Sequence, residues 1–195
     1  MAVALRAAGS RGTTTCGIPS GTDAGDTVAI VVSGNCTTSN AVPTCAGFTL
    51  EDIIRVSGTT GRYIAVLVKK AVGAESGTYT LTLTGVNGVY AQAFSFTGGD
   101  TTGITATATD NSSSTASPAV SLSGLATTDY LLWAAATSGG NNTITTLPGG
   151  WTEISTTSAA VGHVAGKLSG GTSTGSLSWT MGTSSTGRTA IILSI

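Results

Sequence analysis

Few residues in this chain have types and spacings that could do chemistry. Gly171-Thr172-Ser173-Thr174-Gly175 fits the Gly-x-Ser-x-Gly pattern that, in hydrolases, holds a nucleophilic serine on a sharp turn between a strand and a helix. The next residues, Ser176-Leu177-Ser178-Trp179-Thr180, alternate like a strand, and the one histidine, His163, precedes the serine where such hydrolases place it after. No triad is expected, and His163 reads as an ordinary strand residue. Carboxylates for glycoside cleavage are present at Glu51-Asp52, Asp23, Asp26, Glu75, Asp100 and Glu153. Strand neighbours point to opposite faces, so Glu51 and Asp52 can flank one bond only across a bulge. Asp23 and Asp26, in Gly21-Thr22-Asp23-Ala24-Gly25-Asp26, offer calcium-type oxygens, but Asp beside Gly is also ordinary turn composition, and the turn is the preferred reading.

Three cysteines, Cys16, Cys36 and Cys45, cannot all pair within one chain. Cys36 and Cys45 lie nine positions apart and can close a disulfide if the protein ends up outside a cell. Three cysteines with His163 lack the short Cys-x-x-Cys knuckle of a zinc site, so no metal or cofactor is expected. Asn35-Cys36-Thr37, Asn111-Ser112-Ser113 and Asn141-Asn142-Thr143 fit glycosylation acceptors that a bacterial or viral product leaves bare.

The elements that must position these groups recur. Residues 69–97 align without a gap on 167–195, a shift of 98, which sets Gly73 on Gly171, Gly77 on Gly175 and Thr78-Tyr79-Thr80-Leu81-Thr82 on Ser176-Leu177-Ser178-Trp179-Thr180. Upstream the shift is 103, matching Val28-Ala29-Ile30 with Leu131-Leu132-Trp133 and Phe48-Thr49 with Trp151-Thr152. The repeat implies a twofold β architecture. No candidate catalytic residue recurs in it. Trp151 falls on Phe48, Trp179 on Leu81 and Trp133 on Ile30, so Phe48, Trp133, Trp151 and Trp179 are expected as core aromatics rather than sugar-stacking platforms.

Short alternating runs separated by Gly, Ser, Asn and Pro predict strands near 2–7, 27–33, 48–56, 62–72, 78–84, 91–97, 104–109, 119–123, 130–137, 151–157, 161–168, 175–181 and 188–195. The runs at 27–32 and 131–135 are apolar on both faces and predict central, doubly covered strands. The run at 78–84 sets Thr against large apolar groups, which predicts an outer strand with one wet face. The chain is expected to form one domain over 1–195: an N-terminal strand and arm at 1–25, a first half at 26–98, a crossover at 99–125 that contributes a strand, and a second half at 126–195. The arm, rich in Thr, Gly and Ser over 11–25, is expected to be ordered by a neighbour.

With 40% apolar residues and recurring alternation, the chain has the means to fold. Its net charge is −1 and its basic residues are scattered, so no stripe suits a nucleic-acid backbone. The longest apolar stretch, 130–136, is far short of the ~20 residues of a membrane-spanning helix. Residues 1–10 have Arg6 in their middle and do not read as a secretory signal, so synthesis in a cytoplasm is expected. Only 9% of residues are charged, a composition suited to a chain held in a larger assembly.

Certain segments carry a family likeness: an opening strand with Arg6, Ala24-Gly25-Asp26-Thr27-Val28-Ala29 entering a central strand, Lys69-Lys70-Ala71-Val72-Gly73-Ala74-Glu75-Ser76-Gly77-Thr78-Tyr79-Thr80, and Pro148-Gly149-Gly150-Trp151-Thr152-Glu153. In these the chain resembles β-sandwich virion proteins of tailed bacteriophages, especially those of actinobacteria, of head decoration and minor tail type. It departs from their pattern where Phe48 replaces a first Trp and where cysteines enrich the early loops. The resemblance implies an all-β, jelly-roll-type sandwich built from two similar halves, without enzymatic activity. It implies a place on the virion surface after synthesis in the host bacterial cytoplasm. The implied partner is the major capsid protein, bound as a homo-oligomer, a trimer at symmetry axes being the form expected. Minor tail proteins and modules that bind host surface glycans are the alternative.

Overall fold

A computed structural model of the chain describes residues 2–36, 42–56, 61–101, 103–110, 114–136, 144–155, 162–185 and 187–195. The acceptor sequences at 111–113 and 141–143 lie outside the described residues. The protein is all-β: sixteen strands and no helix run through the described residues. The first half contains β1 (Ala4–Ala8), β2 (Thr15–Gly17), β3 (Thr27–Cys36), β4 (Val42–Cys45), β5 (Thr49–Val56), β6 (Arg62–Lys70), β7 (Thr78–Thr84) and β8 (Val86–Thr97). The second contains β9 (Thr105–Asp110), β10 (Ser114–Ala116), β11 (Tyr130–Ala136), β12 (Ile144–Thr146), β13 (Thr152–Glu153), β14 (His163–Leu168), β15 (Thr180–Ser185) and β16 (Arg188–Ser194).

Each half is a sandwich of its own. The first pairs a five-stranded sheet, β1-β8-β3-β6-β5, with a three-stranded sheet, β2-β7-β4. The second repeats this order as β9-β16-β11-β14-β13 over β10-β15-β12, all ladders being antiparallel. The repeat extends to turns, where positive-φ glycines recur at Gly47 and Gly150 and at Gly77 and Gly175. It also extends to single hydrogen bonds. The Ala71 amide donates to the Asp26 carbonyl at 2.9 Å, as the Ser169 amide does to that of Asp129 at 2.8 Å.

The two five-stranded sheets stack on each other, giving four layers and three cores. In the central core, Ala29, Val31, Ile64, Phe94 and Phe96 of one half meet Leu132, Ala134, Val164, Ile191 and Leu193 of the other. The opposite faces of the same strands fill two outer cores. Val28, Ile30 and Val32 pack with Tyr79 and Leu81 under one three-stranded sheet, and Leu131, Trp133 and Ala135 pack with Trp179 and Met181 under the other. This is why β3 and β11 are apolar on both faces: each is covered twice. Burying a large apolar side chain contributes roughly 1.5–3 kcal/mol, so a strand that buries both rows gains twice per turn of the pleat. β7 needs only one apolar row, and its residues alternate between exposed threonine and buried Tyr79 and Leu81.

Two expectations from sequence need correction. The ungapped shift of 98 fails in the last strand. Ile30 faces Ala93 across the ladder and Trp133 faces Ile192, so Ala93 corresponds to Ile192 at a shift of 99. A slip of one residue exchanges the two faces of a strand, and the shift of 98 would set Phe94 of the central core on Ile192 of an outer one. The crossover contributes a strand, as expected, and a second short one after it. β9 is the edge strand of the second five-stranded sheet, and β10 pairs with β15. Arg188, buried in β16, ties both down through Asp110 at 2.6 Å and the Ala116 carbonyl. Finally, the stretch 11–25 is ordered by its own chain. Gly9 and Gly12 donate to the Ala93 and Ala91 carbonyls at 2.8 and 2.9 Å, and Cys16 of β2 sits opposite Tyr79 of β7. The fold-back is tight enough that a Cβ on Gly9 would lie 1.9 Å from the Gly17 carbonyl oxygen.

Candidate functional site

The strongest candidate lies at one end of the second sandwich, where β14 leaves the central sheet and the chain turns towards β15. The matching place in the first half explains its construction. There Lys69, near the end of β6, is paired with Val28 of β3, and the following turn brings Glu75 back over it. The Lys69 ammonium lies 2.7 Å from the Glu75 carboxylate and stands over the Phe48 and Tyr79 rings at 4.9 and 4.6 Å. The Tyr79 hydroxyl donates to the same carboxylate oxygen at 2.5 Å, and Phe48 meets Tyr79 edge to face. Burial pushes the Glu75 carboxyl up, but hydrogen bonds from Lys69 and Tyr79, with the Lys69 charge, outweigh it and hold the group below its ordinary range. The cluster is closed: one cation, one anion, two aromatic walls.

In the second half Lys167 of β14 is paired with Leu131 of β11, the same register. Ser173 occupies the place of Glu75, Leu177 that of Tyr79, and Trp151 that of Phe48. The result is an open cleft of about 240 Å³, lined by Leu131, Trp151, Lys167, Ser169, Ser173 and Thr174, with Gly170 and Gly171 between. The turn that frames it is held from within. Ser169 donates to the Gly171 carbonyl at 2.7 Å, the Gly175 amide to the Ser173 hydroxyl at 3.2 Å, and the Leu122 amide to the Thr174 hydroxyl at 2.9 Å. Lys167 has no hydrogen-bond or ion-pair partner among the described residues, and its stem runs beside Gly150.

The Gly-x-Ser-x-Gly turn therefore frames a cleft, but not as a nucleophile elbow. Ser173 bridges to Ser123, and Leu177 and β15 continue in extended form. His163 is turned to another partner. Buried in β14, it places Nδ1 2.9 Å from Glu153 Oε1 and its ring edge against Trp179. The hydrogen bond from His163 holds the Glu153 carboxyl below its ordinary range, against burial and with help from Ser155, whose hydroxyl donates to the same oxygen at 2.8 Å. A carboxylate only accepts, so Nδ1 carries the proton. Serine and histidine both address the carboxylate here, an arrangement that braces β13 against β14.

Among the other acidic groups, Glu51 sits at a bulge of β5 between Leu50 and Asp52. The Glu51 carboxyl is pushed up by burial, then by the charges of Asp52 and Asp100. Asp26 accepts from the Asp23 amide at 2.9 Å and pairs with Arg6 at 2.7 Å, which engages it in the turn.

The disulfide that spacing allowed between Cys36 and Cys45 is not formed: all three cysteines are free thiols. Cys36 closes β3 and points its sulfur at the Val56 and Arg62 carbonyls, both at 3.6 Å. Cys45 instead faces the outer core from β4, opposite Leu81, while Cys16 does so from β2, opposite Tyr79. β7 lies between those two strands, and two strand spacings amount to ~9.6 Å, beyond the reach of a disulfide. Burial, then the nearby Cys45, pushes the Cys16 thiol up to about 12.

Trp133 and Trp179 are fully buried and stacked with centroids 4.7 Å apart, and Trp151 meets Trp133 edge to face at 5.1 Å. Trp151 thus roots the cleft in the outer core while one edge lines it. Phe48, its counterpart, is only partly buried. Sequence reasoning missed the cleft. The signal was present in the internal alignment, which keeps a lysine at 69 and 167 but replaces the acid at 75 by Ser173. Compared with family models, curated proteins and solved structures, the chain finds no match.

Proposed function

We propose that the protein is a non-enzymatic structural subunit of a tailed-phage particle, a capsid decoration (cement) protein that binds the major capsid protein and stabilises the shell. Each half reads as one jelly-roll-type sandwich, and the two together make a rigid block whose contacts are all on its outside. The observation that carries this reading is the pair of hydroxyl-rich skins. Thr78, Thr80, Thr82 and Thr84 are exposed along β7, and Ser176, Ser178 and Thr180 are exposed at the corresponding positions of the other half. Such surfaces carry little charge to desolvate and associate through area and hydrogen bonds. A decoration protein works by adding contacts that exist only on the assembled shell, so its binding stabilises the shell by mass action, and trimers at symmetry axes satisfy closed symmetry. The segments shared with phage virion β-sandwich proteins support the same assignment.

Gel densitometry of purified particles tests it. Hundreds of copies per particle are expected of a decoration protein. A few copies support the minor tail alternative, with a glycan array then testing host recognition, and absence from the particle ends both readings.

A further inference from the structure

The two halves carry the same lysine in the same register, yet only one of them carries its counter-charge. Lys69 is neutralised at 2.7 Å by Glu75, whose side chain is supplied by the chain's own turn. Lys167 occupies the equivalent place over an open cleft, with Ser173 where that acid would be. The first half is therefore a filled copy of the second, and it displays the occupant the second lacks: a carboxylate on a short alkyl stem.

We propose that the cleft between Trp151, Lys167 and the turn 169–174 binds a carboxylate of glutamate size carried by another molecule, with Lys167 as its ion-pair partner. Three features fit that chemistry. Lys167 supplies a positive charge with no partner among the described residues. Ser173, whose hydroxyl accepts from the Gly175 amide, keeps its proton for an anion at the opening, whereas Ser169 and Thr174 spend theirs on the Gly171 and Gly175 carbonyls, and Leu131 with Trp151 gives the stem an apolar floor. At about 240 Å³ the cleft is also smaller than the ~300–1,000 Å³ of sites for drug-sized ligands, which favours one acidic group over a run of sugar rings. The difference between Val72, almost fully exposed in the first half, and Gly170 in the second keeps the mouth free of a side chain. Binding here needs no particle, because every lining residue belongs to this chain.

The test is titration of the isolated protein with glutarate, with N-acetylglutamate N-methylamide and its glutamine analogue, and with a Gly-Ser peptide holding one Glu. Amide shifts of Gly170 and Gly171 and the Trp151 indole signal report occupancy. Saturable shifts in the millimolar range are expected for the acids, at least tenfold weaker for the glutamine analogue. They should vanish in Lys167→Met, folded by circular dichroism, and in Ser173→Glu, which supplies the acid from within as Glu75 does. Tighter binding of the peptide assigns the carboxylate to a polypeptide side chain, and tighter binding of glutarate to a free acid. Equal binding of acid and amide, retention in Lys167→Met, or no saturable shift with any acid overturns the proposal.

Discussion

Ser173 stands in the second half where Glu75 stands in the first, each six residues after a lysine held in matched register on a central sheet. One pair is a sealed electrostatic cluster and the other an opening, so the same local plan is a structural clasp in the first half and an open cleft in the second.

The clasp predicts an acid-sensitive first half. Glu75 has a lowered folded-state pKa, so its contribution is complete above the unfolded value of ~4.3 and is lost as pH falls below that through the folded value. Glu75→Gln should cost about 1.5–3 kcal/mol at neutral pH, the range for hydrogen bonds to charged groups. Urea unfolding as a function of pH checks this: the wild-type and variant curves should converge in acid, and a constant gap would show that the charge contributes nothing.

Trp133→Ala should destabilise by roughly 3–5 kcal/mol, the cost of emptying a large aromatic site. Trp133→Phe should cost far less, about 1–2 kcal/mol. Its buried indole N–H has no partner among the described residues, so removing it relieves an unmet donor while most of the stacking area stays. Chemical denaturation of both variants separates area from polarity, and equal losses would contradict the unpaired donor.

Gly9→Val should release the N-terminal fold-back, since its Cβ would meet the Gly17 carbonyl oxygen. The Gly17, Ile18 and Leu81 amides, which close this segment on itself and on β7, should exchange faster with solvent while those of β11 and β16 keep their protection. Uniform loss of protection would mean that the segment is integral to both sandwiches.

The thiols should all titrate in denaturant without reductant. In the folded protein Cys16 should resist alkylation because it is buried with its thiol pushed up to about 12, while the half-buried Cys36 reacts first. Intact mass after timed alkylation reads the order, and a mass two units low before treatment would reveal a disulfide.

Much of this architecture is legible in the sequence because pleated strands write their surroundings in alternate residues. The run 78–84 announces one wet and one dry face, and the runs 27–32 and 131–135 announce two dry ones. The strands β2, β4, β10 and β12 are too short to hold a pattern, with three or four residues each, and their Thr, Ser, Gly and Pro composition matches that of turns. Ala93 and Ile192 escaped correct pairing because a single added residue before β16 leaves the hydropathy similar while inverting the faces. The cleft is legible only as a difference: neither Lys167 nor Ser173 is unusual alone, and the acid missing between the halves matters only once the fold brings position 173 back over position 167.

Stacking four sheets has a mechanical consequence. At ~10 Å per sheet-to-sheet step the two threonine- and serine-faced surfaces lie about 30 Å apart and look in opposite directions. Whatever adheres to one is thus kept at a fixed standoff from whatever adheres to the other. The spacing is set by interlocked side chains rather than a tether, so the molecule is a stiff spacer between two hydroxyl-faced surfaces.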